Sequence, residues 1–127
     1  AFAICFEQSP AEIIDAIGHD GSEILFPEES APGCYRGFDQ QEIIDVCYND
    51  GIMPILIEAF PHVAKKPVFH DSQMRLKVYL QDHIGILLGR VDGRNHAVAW
   101  DREIIWDPTG KKYEITEFEV HTFIVML

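Results

Sequence analysis

The sequence predicts an α+β domain, with N-terminal helices packed on a C-terminal antiparallel sheet. Two capped segments with helical periodicity precede Gly51. After it, short apolar segments alternate with turn residues, and Thr122–Leu127 is apolar at nearly every position. With 127 residues, 47% of them hydrophobic, the chain is one domain spanning residues 1–127 and able to bury a core.

The first helix is announced by Ser9-Pro10-Ala11-Glu12, a capping box with proline at the first helical position. Ile13, Ile14, Ala16 and Ile17 supply its apolar stripe and Gly18 stops it. Phe38-Asp39-Gln40-Gln41-Glu42 repeats the signal, with Asp39 as cap, Glu42 reaching back and Phe38 as staple; Ile43, Ile44, Val46 and Cys47 follow before Asn49-Asp50-Gly51. Between the helices lies a loop of almost 20 residues, from Gly18 to Gly37, rich in glycine, proline and acid, and long enough to be functional.

Ile52–Ala59 reads as a strand that Pro54 restricts to a start or an edge. Pro61–Ser72 reads as a second loop carrying His62, Lys65, Lys66 and His70, and Met74–Asp82 as a short helix. Ile84–Val91 is a strand, Asp92-Gly93-Arg94-Asn95 a turn, and His96 to Asp107 an apolar hairpin. The unbroken apolar character of Thr122–Leu127 predicts a central strand. Trp100 and Trp106 fall on opposite faces as core residues, which implies a sheet covered on both sides.

Composition excludes several function classes. Twenty-one acidic against 10 basic residues give a net charge of −11, a field that repels phosphate backbones and excludes nucleic acid as a partner. The acids are scattered, as on a solvated surface. No run is long enough to span a membrane. Cys5, Cys34 and Cys47 match neither a zinc motif nor a disulfide framework, which favours a cytoplasmic protein or an injected effector over a secreted scaffold. Cys34 reads as a thiol on a flexible loop and Cys47 as core. His19-Asp20 and His70-Asp71 sit in loops rather than on several helices, so no metal site is expected. Gly18-His19-Asp20-Gly21 reads instead as a loop-shaping segment, and no cofactor motif is present.

The hairpin carries the chemistry. If it turns through a two-residue loop, Asp101-Arg102, then Trp100 pairs with Glu103 and His96 with Asp107. Directly opposed residues share a face, so the carboxylate accepts a hydrogen bond from the imidazole, fixes its tautomer and stabilises its charged form. A three-residue loop would turn Asp107 onto the other face. Pro108 ends the strand directly after the aspartate.

These residues give the chain a resemblance to the papain-like cysteine peptidase superfamily, nearest to the peptidase domains of bacteriocin exporters and their relatives. It is carried by His96-Ala97-Val98 and by Asp107-Pro108-Thr109-Gly110. Ala1-Phe2-Ala3-Ile4-Cys5-Phe6 followed by Ser9-Pro10-Ala11-Glu12-Ile13 is similar to the segment after the nucleophile in that group. The resemblance implies a papain-like fold and a thiol hydrolase acting on a peptide or protein substrate, as a peptidase or as a glutamine amidase or deamidase. His96 would be base and then acid, and Asp107 the orienting group.

The nucleophile has three placements. Aligned on the pattern it falls about one helical turn before Ala1, removed by truncation or processing; or it is lost in a degenerate relative; or it is Cys5. The oxyanion donor, a glutamine upstream of the cysteine in the family, would fall ahead of Ala1 too, and Gln8 does not substitute for it. The alternative to an enzyme is an inactive pseudo-peptidase that binds a peptide or protein in the old cleft. Substrate identity and oligomeric state are not written in the sequence.

Overall fold

A computed structural model describes residues 1, 3, 5, 7–58 and 71–127, with residues 71–74 described by their backbone alone. It is an α+β domain in which three helices accompany an open six-stranded antiparallel sheet. The helices are α1 (Pro10–Ile17), α2 (Gln40–Asn49) and α3 (Asp71–Asp82). The strands are β1 (Pro54–Glu58), β2 (Gly85–Val91), β3 (Arg94–Trp100), β4 (Ile105–Trp106), β5 (Lys112–Tyr113) and β6 (Glu119–Met126), in the order β1-β6-β2-β3-β4-β5.

Both predicted caps form. Ser9 Oγ accepts from the Glu12 amide while Glu12 accepts from the Ser9 amide, and Asp39 and Glu42 repeat the exchange at α2. Each box satisfies amide groups that a helix start leaves without partners. Ala3 and Cys5 are helical as well, ahead of α1. α3 begins at Asp71, three residues before the predicted Met74. The loop predicted over Pro61–Ser72, with His62, Lys65, Lys66 and His70, otherwise lies outside the described residues, as does Ala59 at the end of the predicted first strand.

Pro54 is both the first residue of its strand and on an edge strand, where its missing N–H costs no ladder bond. β2 and β3 join through Asp92 and Gly93, both at positive φ (49° and 74°), the geometry of the tight two-residue turn that suits strand twist. Arg94 and Asn95, predicted as turn, already belong to β3. β6 lies between β1 and β2, which makes it central and explains its apolar run.

Alternation along the central strands divides the core between the two faces of the sheet. Leu87, Val98, Trp100, Phe123 and Val125 pack with Leu76 and Leu80 of α3. Ile86, Ile124 and Met126 pack with Cys47 of α2 and with Ala1 and Cys5. The sheet is thus covered on both sides, as the two tryptophans implied. Trp100 is buried, and its indole N–H donates to the Leu80 carbonyl at 2.8 Å. Trp106, expected in the core, is half-buried instead. The Lys112 ammonium sits 4.2 Å over its ring, and its N–H donates to Asp101 at 2.6 Å.

The long loop between α1 and α2 is held by its own polar groups. His19 Nδ1 accepts from the Gly21 amide at 3.0 Å, so its Nε2 carries the proton and donates to Glu42 at 2.6 Å. Arg36 reaches the same Glu42 oxygen at 2.8 Å, and the His19 ring stacks on Phe38. Here His19 fastens the loop to the start of α2, the shaping role expected of its segment. Cys34, expected as a thiol on a flexible loop, is buried beside the Ile24–Tyr35 bridge.

Candidate active site

The β3–β4 connection is where the predicted hairpin is corrected. Ala99 pairs with Trp106 and Trp100 with Ile105, so the loop is four residues, Asp101 to Ile104, rather than two. The cause is Asp101. Its Oδ1 accepts from the amides of Glu103 and Ile104 at 2.9 and 2.8 Å, an aspartate-centred turn that needs the two extra residues, and Arg102 adopts φ 88° within it. Trp100 therefore does not pair with Glu103, nor His96 directly with Asp107. Lengthening the loop by an even number keeps side-chain parity. His96 and Asp107 become diagonal neighbours and still meet: His96 Nε2 lies 2.9 Å from Asp107 Oδ2.

Asp107 is the buried charged residue among those described, its side chain 4% exposed, against 32% for His96. Burying a carboxylate is costly unless its oxygens are bonded. Oδ1 accepts from both the amide and the hydroxyl of Thr109, each at 2.8 Å, and Oδ2 takes His96. The Pro108-Thr109-Gly110 turn that delivers Thr109 is closed by Gly110 N–H donating to the Asp107 carbonyl and Asp107 N–H donating to the Lys111 carbonyl, both 2.9 Å. Burial pushes the Asp107 carboxyl up, but the bonds from His96 and Thr109 outweigh it and hold the pKa at about 2. The ionised carboxylate can only accept, so His96 Nε2 carries the proton. In the uncharged ring Nδ1 is then the nitrogen with the free lone pair.

Cys5 is placed differently. Its thiol donates to the Gly85 carbonyl at 3.2 Å, on the α2 side of the sheet. Burial pushes its pKa up to about 11, so the thiol stays protonated at neutral pH. Cys47 is fully buried beside Met126, and burial likewise raises it to about 11. Among the described residues His96 is hydrogen-bonded to no cysteine. Ala1 packs with Cys5 against the cluster on the α2 side of the sheet.

The structure thus brings His96 and Asp107 together and leaves Cys5 in its own contact. Thr109 is the partner that sequence reading overlooked as a polar contact. Its signal was a threonine two residues after an aspartate, the spacing of a side-chain-to-backbone turn. Compared with family models, with curated proteins and with solved structures, the chain gives no significant match in any of the three.

Proposed function

We propose that this chain is a papain-like thiol hydrolase domain acting on peptide or side-chain amides by acyl transfer. The observation that carries this reading is the buried, ionised Asp107 bonded to Nε2 of a partly exposed His96. A carboxylate that fixes the protonated nitrogen leaves Nδ1 to take a proton from a thiol and return it to the leaving amine. The catalytic thiol would attack the carbonyl carbon, expelling the amine as His96 Nδ1 protonates it. Water activated by the same nitrogen would then release the acid and restore the thiol. Ammonia in place of an amine as leaving group gives deamidation by the same steps.

In this reading the nucleophile precedes Ala1. That placement is supported by the state of Cys5, which is protonated and committed to the Gly85 carbonyl. The test is labelling of the longest natural form by a thiol-directed activity probe, beside His96→Ala and Asp107→Asn. A single cysteine should be labelled, with the rate falling about 10²–10⁴-fold in His96→Ala. Labelling indifferent to His96 would overturn the reading.

The state of Cys5 favours a second reading, in which the domain is an inactive pseudo-peptidase that binds a peptide or protein. Absence of a probe-reactive cysteine in the longest natural form, with the His96–Asp107 bond intact by NMR, would select it.

A further inference from the structure

Strand β6 carries a bulge near its start. Leu88 of β2 faces Thr122 whereas Gly89 faces Val120, so His121 is the extra residue. A Cβ on Gly89 would run into the Glu119 carbonyl oxygen and come within 2.8 Å of the Phe118 ring. The glycine thus lets Phe118 lie close against β2.

A groove of about 490 Å³ separates this segment from α3. Leu76, Leu80, Trp100 and Phe118, all of one core cluster, line it together with Ile115 and Val120, which pack against that cluster. These apolar side chains therefore lie on one face of the sheet. The volume is that of a small-molecule site. The Trp100 indole N–H is already given to the Leu80 carbonyl, so the deep part of the groove is apolar in effect.

Charge enters at the rim. Lys77 and Gln81, one turn apart on α3, and Arg102 from the β3–β4 loop line the same groove and are exposed. The stems of such side chains lie along apolar surface while their cationic ends stay in water. Among the described residues neither Lys77 nor Arg102 is in an ion pair. Arg102 holds φ 88°, a region that favours glycine or asparagine, so the turn itself does not call for arginine. Its Nε donates to the Asp101 carbonyl at 3.3 Å, which leaves both terminal nitrogens for another acceptor. The adjacent Asp101 carboxylate is engaged by the Glu103 and Ile104 amides and the Trp106 indole. Glu119, the one acid among the described lining residues, is bonded to His121.

We propose that this groove binds a small carboxylic acid with an aliphatic chain, the chain lying against Trp100 and Phe118 and the carboxylate held by Arg102 and Lys77. The planar fork of arginine matches a carboxylate. At a net charge of −11 most of the surface repels an anion, and two unpaired cations beside one apolar groove offset that locally. A peptide fits less well. Its main chain brings an N–H and a carbonyl at each residue, and Gln81 is the one carboxamide or hydroxyl among the described lining residues. Neither His96, Asp107 nor Cys5 lines the groove, so this inference is independent of the hydrolase reading.

The test is an NMR titration of the 15N-labelled chain with octanoate, decanoate, 1-octanol and acetyl-alanyl-leucine, each below its aggregation threshold. Octanoate should shift the Trp100 indole N–H saturably and leave that of Trp106 in place. Decanoate should bind about tenfold more tightly, from two further buried methylenes. Arg102→Gln and Lys77→Gln, both at exposed side chains that the core does not need, should each weaken octanoate about two- to fivefold and leave 1-octanol unchanged. The proposal is overturned if neither acid moves the Trp100 indole saturably, or if the two variants bind octanoate as the wild type does. Equal losses for octanoate and 1-octanol would also overturn it, because the cations would then not be reading charge. Tighter binding of acetyl-alanyl-leucine than of octanoate would assign the groove to a peptide C-terminus instead.

Discussion

Asp107 carries a full charge in a place that water hardly reaches, so its neighbours must do what solvent would have done. Three donors do so, the Thr109 amide and hydroxyl on one oxygen and His96 on the other. Their net effect lowers the carboxyl from its ordinary value of 3.8 to about 2, a depressed folded-state pKa. A depressed carboxylate contributes stability that is present above the unfolded value and lost as pH falls through the folded one. The contribution is about 2 kcal/mol, from a shift of nearly two units. Wild-type stability should therefore fall between about pH 4 and about pH 2, and Asp107→Asn should lack that part of the dependence. Urea unfolding across this range measures both; parallel curves would show that Asp107 is not bonded as described. At this scale the sequence was informative because polar residues at the ends of an apolar hairpin have few reasons to be there. It misplaced Cys34 on a flexible loop, because its burial depends on how the long loop folds back through the Ile24–Tyr35 bridge.

Elements were legible where their signals are local. The two capping boxes, the Asp92-Gly93 turn and the proline-limited edge strand each involve residues within a few positions of one another. The β3–β4 loop was misjudged because its length is set by where Asp101 places its side chain, which chain periodicity does not encode. The His96–Asp107 contact survived because four residues and two have the same parity. The bulge at His121 was beyond reach for a related reason: a bulge is a mismatch between two strands far apart in the chain, and neither strand shows it alone. Its one trace is Gly89, a glycine inside a strand. Gly89→Ala should accordingly cost about 3 kcal/mol, because the added methyl meets backbone of β6 rather than a side chain that can swing away. Chemical denaturation checks the cost. An alanine tolerated there would mean that β6 can shift and that the bulge is not fixed by close approach.

For the whole molecule, the α+β class, the two helices ahead of the first strand and the central place of the last strand followed from pattern alone. The strand order did not, because inserting β6 between β1 and β2 depends on pairings more than 30 residues apart in sequence, such as Ile86 with Ile124. Charge is the property of the whole that makes the clearest demand. The chain has 11 more acidic than basic residues, and among the described residues the Arg–carboxylate pairs within bonding range are those of Arg36 with Glu23 and Glu42. The remaining carboxylates repel one another, and compaction on folding brings them closer. Raising ionic strength from about 0.01 M to about 0.15 M shortens the screening length from about 30 Å to about 8 Å, which weakens repulsion between exposed charges across the surface more than the short buried contacts at Asp107. The melting temperature should therefore rise with sodium chloride over this range at neutral pH. The increment should shrink as pH falls toward about 4, the ordinary range in which carboxylates as a class take up protons and the net negative charge declines. A melting temperature that falls with salt at neutral pH would mean that attractive pairs outweigh the excess negative charge, and would locate them among surface residues rather than at the buried His96–Asp107 contact.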